Sequence, residues 1–254
     1  MKNITLVLLI LFYFNTFAQD TTITTGYKKV LIGINFSPDY CYRTLFNNNS
    51  SNISNIIIES RNNRETAKIG YTIGSNFIYN FNKRIGIGLG VLFSNNGYQT
   101  TTSGFTFGDM VNAQQGFTLS STDPSIPRSL TSVDNLYYLD FPFKFTLTFG
   151  SKKLRFITSL GFSTNLLITA STTTTTEYND GSIKKTTQAS NDPYNRVNFS
   201  PTLSFGPEFK IKNRSFIRVE PSFKYGILNI IDSPITAKLW SAGLNISYYF
   251  GIKK

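Results

Sequence analysis

The chain has 254 residues, a formal net charge of +11, one cysteine and no histidine. The missing imidazole excludes Ser-His-Asp catalysis, histidine-ligated zinc and a histidine general base, and the lone Cys41 excludes an intramolecular disulfide or a cysteine metal cluster. Aromatic residues make up 15%, with 23 Phe and 14 Tyr, yet no stretch approaches the roughly 20 consecutive apolar residues of a membrane helix. A membrane protein of this composition has to be a barrel.

The N-terminus reads as a secretory signal peptide over residues 1–18. Lys2 is followed by an uncharged run from Ile4 to Phe14, and small Thr16 and Ala18 place the expected cleavage after Ala18. Residues 19–28 are expected to be a polar periplasmic lead, and 29–254 the barrel domain. Losing Lys2 takes the formal net charge from +11 to +10, a balance that favours anionic partners, with lipopolysaccharide phosphates the obvious ones outside the cell. Nucleic acid is not expected, because the chain is exported and carries no basic helix.

Alternation begins at Lys29. To Arg43, Val30, Ile32, Ile34, Phe36, Tyr40 and Tyr42 share one face and Gly33, Asn35, Ser37 and Asp39 the other, which predicts a strand. Thr44 to Arg64 is rich in Asn and Ser and is expected to be a long loop. The second strand, about Thr66 to Phe81, sets Ile69, Tyr71, Ile73, Phe77, Tyr79 and Phe81 outward and Lys68, Gly70, Thr72, Gly74 and Asn76 inward, and Asn82-Lys83 reverses it. The third, Arg84 to about Thr101, puts Ile85, Ile87, Leu89, Val91 and Phe93 against Gly86, Gly88, Gly90, Ser94 and Asn96. These glycines are spaced G-x-G-x-G within an alternating strand and do not open a helix, so they do not form a phosphate loop.

Thr102 to Thr131 is polar and is expected to be the longest loop. The fourth strand, Val133 to Phe149, turns Tyr137, Leu139, Phe141, Phe143, Phe145, Leu147 and Phe149 outward and Asp134, Tyr138, Asp140, Lys144, Thr146 and Thr148 inward. Gly150 to Lys153 turns the chain into the fifth strand, Leu154 to about Ser171, with Arg155, Ser159, Gly161, Ser163 and Asn165 inward. Thr172 to Thr176, Asn179-Asp180-Gly181 and Ser182 to Gln188 read either as a polar hairpin above the membrane or as a low-complexity disordered segment. The sixth strand, Val197 to Ile211, points Asn198, Ser200, Thr202, Ser204, Glu208 and Lys210 inward, and the seventh points Arg218, Glu220, Ser222 and Lys224 inward. Folding these two about their turn sets Glu208 roughly opposite Arg218, which predicts a luminal salt bridge.

The last run, Thr236 to Phe250, carries Trp240, Ala242, Leu244, Ile246, Tyr248 and Phe250 on one face and Ser241, Gly243, Asn245, Ser247 and Tyr249 on the other. Period 2 held this long suits a membrane-spanning strand of about 9–11 tilted residues. Ser241, Gly243, Ile246, Tyr248 and Phe250 also resemble the C-terminal signal read by barrel-insertion machinery, although that signal ends on its aromatic residue and this chain continues to Lys254.

Eight strands result, joined alternately by long polar loops and short turns, which is the pattern of an eight-stranded antiparallel up-and-down transmembrane β-barrel, all-β, in the outer membrane. The outward sets carry one charge, Lys238, beside the last outer loop. Phe81, Phe149, Tyr248 and Phe250 near the periplasmic ends and Tyr42, Tyr137, Tyr225 and Trp240 near the external ends form two aromatic girdles. Inside, Asp39, Lys68, Asp140, Lys144, Arg155, Glu208, Arg218, Glu220 and Lys224 make a luminal charge network, joined by Asp134 and Lys210. An eight-stranded lumen is about wide enough for side chains to fill, so these charges are expected to pair rather than catalyse or line a channel. Pro38, Pro142, Pro201, Pro207 and Pro221 fall inside expected strands, where each should mark a bulge or a strand end. A lipocalin-like soluble barrel is the architectural rival; strand length and the girdles argue against it.

The segments Leu136-Tyr-Tyr-Leu-Asp-Phe-Pro-Phe-Lys144, Gly206-Pro-Glu-Phe-Lys210, Glu220-Pro-Ser-Phe-Lys-Tyr-Gly226 and Phe93-Ser-Asn-Asn-Gly97 resemble the PorT-like outer-membrane β-barrel family. The likeness covers nearly all of the chain after residue 18. It implies a barrel and not a reaction, with no set of functional residues to carry over; some members assist in carrying proteins across the outer membrane, while most have no assigned role. The expected activity is that of a scaffold or accessory protein binding an envelope or secretion partner through loops or periplasmic rim, with a small-solute channel as the alternative.

Overall fold

The computed structural model describes residues 29–103, 126–150, 154–212 and 214–253. The expected signal peptide, its cleavage point and the lead to residue 28 lie outside the described residues, as do 104–125 of the expected longest loop and 151–153 of an expected turn.

Among the described residues ten strands and one helix follow in order: β1 (Val30–Asn47), α1 (Asn52–Asn62), β2 (Glu65–Thr66), β3 (Lys68–Asn80), β4 (Ile85–Ser103), β5 (Pro127–Phe149), β6 (Leu154–Tyr178), β7 (Ile183–Ala189), β8 (Val197–Lys212), β9 (Ser215–Tyr225) and β10 (Ile235–Lys253). All pairings are antiparallel, and the ring runs β4-β3-β1-β10-β9-β8-β6-β5 and back to β4. Eight strands therefore close on themselves and leave no edge, the condition for satisfying backbone groups in hydrocarbon. The short β2 extends the β3 edge along β4, and β7 folds back on β6 as a hairpin outside the ring. Alternation sorts the faces: along β10, Ser241, Asn245, Ser247 and Tyr249 are buried, whereas Ala242, Leu244, Ile246, Tyr248 and Phe250 are exposed. The exposed face is a belt of Ile, Leu and Phe; Ile34 and Ile69 are 66% and 75% open.

At one end the connections are tight. Asn82 caps its turn with a side-chain carbonyl that accepts from the amides of Arg84 (2.8 Å) and Ile85 (2.9 Å). At the other end the strands outrun the expected bounds. β1 continues to Asn47, β4 to Ser103, and β5 starts at Pro127, so strand pairing takes in both ends of the loop expected over 102–131. The threonine run is ordered as the β6–β7 hairpin, Thr173 pairing with Thr187 and Thr175 with Lys185, turned by Gly181 at φ +80°. The loop expected from Thr44 to Arg64 contains helix α1 instead. Its sequence, NISNIIIESRN, has weak helix formers, and Ser51 makes no side-chain cap bond. What holds it is packing: Ile58 sits on the apolar cluster at the barrel mouth, and Asn47 donates to the Ser51 carbonyl (2.9 Å) and the Asn55 side chain (2.8 Å).

The five prolines stand where ladders are already interrupted. Pro38 falls in a break of the β1–β10 ladder, between the pairs Phe36↔Ile246 and Asp39↔Gly243. Pro142 falls in a break between β4 and β5, where Gly90 faces it with no room for a Cβ. Pro207 and Pro221 lie on opposite sides of one break between β8 and β9, and Pro201 lies just past the end of that ladder. Register is the same on both sides of each break, so a proline here removes a donor without shifting the strands.

Candidate functional site: a filled, charged lumen

Two apolar layers bound the interior. At the turn end Leu31, Ile78, Phe216 and Tyr249 form one buried cluster. At the loop end Leu45, Leu136, Tyr138, Ile230, Ala237 and Leu239 form another, joined by Ile58 from α1, by Tyr194, and by Ile231 and Ile235. Residues 226–234, between β9 and β10, supply Ile230 by folding inward, where the Ile230 amide donates to the Ala237 carbonyl and Tyr194 bridges Ile231.

Between these layers lie the charges. Glu208 stands between register partners on both sides, Arg155 on β6 and Arg218 on β9. Its Oε2 accepts from Arg218 Nε at 2.6 Å and its Oε1 from Arg155 Nη2. Both guanidiniums also lie over rings of the turn-end layer, Arg155 at 5.0 Å from Phe216 and Arg218 at 4.6 Å from Tyr249. Glu220 accepts from Ser204 (3.1 Å) and Ser159 (3.3 Å) and, with Lys144, Arg218 and Tyr249, lines a cavity of about 20 Å³. Lys144 makes no ion pair within 4 Å among the described residues.

Farther up, Asp39 accepts from Ser37 at 2.6 Å and from Thr72, while Lys224 donates to Thr72 (3.1 Å) with its Nζ 3.9 Å from the Asp39 carboxylate. Asp140 accepts from Asn165 (2.7 Å), whose carbonyl accepts from Ser200 (2.7 Å). Lys68 donates to Asn95 (2.5 Å), Asn135 (2.6 Å) and the Asn96 carbonyl (3.2 Å), and Asp134 accepts from Thr172 (2.6 Å). Lys210, placed inward by alternation, stands half-exposed at the turn end of β8. Thus one compact triad forms around Glu208, and the remaining carboxylates are held by hydroxyls and amides more than by cations.

One ion pair escapes a strand-by-strand reading. Arg43 grips Glu65 with two bonds, Nη2 to Oε1 at 2.5 Å and Nε to Oε2 at 2.9 Å, beneath the Tyr98 ring at 3.5 Å. Continuing the alternation of β1 past Asp39 and Cys41 marks Arg43 as inward; Glu65 lies in sequence that reads as loop. Tyr98 and Tyr194 meet hydroxyl to hydroxyl at 3.4 Å above this pair, and burial pushes the Tyr194 phenol up to about 12.

The second cavity, also about 20 Å³, lies near Tyr138, Asp140, Asn165 and Lys224. Each is water-sized. Among the described residues no three His, Cys, Asp or Glu side chains converge on a metal-sized position. The expected girdle residues sit on the outer face. Phe81, Phe149, Tyr248 and Phe250 are exposed at the turn end, and Tyr42, Tyr137, Tyr225 and Trp240 are half-buried towards the loop end. Trp240 contacts Tyr40, Tyr42 and Phe223 at 5.9–6.2 Å, and Tyr137 stacks on Phe93 at 5.9 Å.

The solved structures to which the chain is similar include three surface or outer-membrane proteins. Neisserial surface protein A is 8% identical with a TM-score of 0.45, over 88% of this chain and 97% of that one. OprG of Pseudomonas aeruginosa is 11% identical with a TM-score of 0.41, over 90% and 99%. The outer membrane protease OmpT of Escherichia coli is 7% identical with a TM-score of 0.33, over 92% and 99%. A comparison with curated protein sequences finds no match. Residues 17–232 match the family model described as outer membrane protein beta-barrel domain. The chain belongs to that family, and its closed eight-stranded ring is an outer-membrane β-barrel.

Proposed function

We propose that the protein is a non-enzymatic accessory barrel of the PorT-like kind, which binds an envelope or secretion partner through its loop side. The observation that carries this reading is the filled lumen. Apolar clusters stand towards both ends, most of the charges between them are engaged with neighbouring side chains, and the two cavities beside those charges are water-sized. Such an interior leaves no room for a substrate beside any carboxylate, and the sequence has no histidine to act as a base. The loop side offers what the lumen does not: α1 presents Ile53, Ile56 and Ile57 to the outside, and the β6–β7 hairpin presents Ile183. A rigid sheet carrying exposed apolar loops is a common platform for recognition.

Cross-linking in intact cells followed by capture of this protein tests the reading. A recurrent protein attached through residues 53–57 or 183–188 is the expected result. Recovery of lipid and lipopolysaccharide alone, or single-channel steps from the purified chain in a planar bilayer, would overturn it, the latter in favour of a small-solute channel.

A further inference from the structure

The excess positive charge of the described residues is not spread evenly over the surface. In the lumen, Arg43, Lys68, Lys144, Arg155, Arg218 and Lys224 are matched in number by Asp39, Glu65, Asp134, Asp140, Glu208 and Glu220. On the loop side, exposed bases such as Arg61, Lys184 and Lys185 are interspersed with Glu59, Asp180, Asp192 and Asp232. At the turn end the signs do not mix. Lys29, Lys83, Arg84 and Arg214 are exposed there and Lys210 is half-exposed, and among the described residues no Asp or Glu faces solvent at that end.

Backbone hydrogen bonds fix these residues around the rim. The Lys29 carbonyl accepts from Asn80 (2.8 Å), that of Arg84 from Thr148 (2.7 Å) and that of Arg214 from Gly251 (2.7 Å). Three of the five basic residues thus bridge to a neighbouring strand end, and the set runs past the ends of β5, β4, β3, β1, β10, β9 and β8. Directly beside it on the outer face stand Tyr79, Phe81, Phe149, Tyr248 and Phe250, and Lys29 Nζ lies 5.6 Å from the centre of the Tyr79 ring. Aromatic rings at headgroup depth with cations just beyond them are the arrangement that meets lipid phosphates.

We propose that this set of cations binds the phosphates of anionic phospholipids in the leaflet surrounding the turn end. A protein partner would approach from one side and need one patch; an arc of cations that passes most of the described strand ends, at the border of the apolar belt, matches a partner that surrounds the barrel. This inference stands apart from the loop-side reading and does not depend on it.

The test uses the full chain folded into phosphatidylcholine vesicles with a trace of spin-labelled phosphatidylglycerol or phosphatidylcholine, and compares the immobilised fraction of each label. The expected result is an enrichment of phosphatidylglycerol at the protein by about threefold or more, suppressed by molar salt. The combined variant Lys29→Gln, Lys83→Gln, Arg84→Gln, Arg214→Gln should bring it close to parity, while Lys184→Gln with Lys185→Gln leaves it unchanged. If the fourfold variant does not fold, the four single variants should each remove part of the enrichment. Equal immobilisation of both labels by the unmodified protein, enrichment that survives the four substitutions, or binding of soluble tripolyphosphate without lipid enrichment would overturn the proposal.

Discussion

Asp39 and Gly243 face each other across the seam where β1 meets β10 and the barrel closes, and the Asp39 carboxylate occupies the space that a Cβ on Gly243 would need. Ser37 Oγ is the next atom in that space. Gly243→Ala should therefore displace a buried carboxylate from its Ser37 and Thr72 donors, costing about 1–3 kcal/mol. Urea unfolding in lipid vesicles, followed by the single tryptophan, Trp240, reads this directly. An unchanged midpoint would show that the seam relaxes around a methyl group.

Glu208 is almost fully buried between two arginines. Glu208→Gln removes the charge and leaves two guanidiniums facing each other in the lumen, so a loss of about 3–5 kcal/mol is expected in the same assay. Arg155→Gln, at the partly open arm of the triad, should cost less than Arg218→Gln at its closed arm.

The outer face should be intolerant of charge in proportion to depth. Ile246→Lys, near the middle of β10, is expected to cost about 2–4 kcal/mol, whereas Lys238→Ile, beside the loops, should change stability little. Equal effects at the two sites would contradict a bilayer spanning this belt.

Asp180 gives a pH-dependent reporter at the hairpin tip. Its side chain accepts from the Ser182 amide (2.8 Å), and the bonds to Ser182 hold the carboxyl below its usual range. A lowered folded-state pKa means that the ionised form supports the turn at neutral pH and that this support is lost as pH falls through the folded value. The Ser182 amide resonance should thus titrate with a midpoint below that of an unstructured aspartate, and Asp180→Asn should abolish that titration.

The strand periodicity made the ring legible, because a bilayer demands an uncharged outward face and a narrow lumen tolerates small or paired polar residues. Glu208 opposite Arg218 followed from a single turn. Arg155 on the other side of Glu208 did not, because their strands are separated in sequence by the β6–β7 excursion and the register across that gap is not set by a turn. Helix α1 was hidden for a different reason: its Asn and Ser favour loops locally, and the packing of Ile58 that overrides them lies at the barrel mouth. The prolines looked like faults in the strand pattern; only the ladders show that each lies at a break or an end.

The apolar layers at the two ends have a consequence for how the protein can work. With an apolar cluster towards each end and water-sized cavities beside the charges between them, a disturbance among the loops that reaches the turns through the wall travels as a mechanical displacement of strands whose registers are locked to their neighbours for most of their length. Such a wall resists graded deformation, so the two faces of this barrel are suited to act as separate anchoring points held at a constant distance.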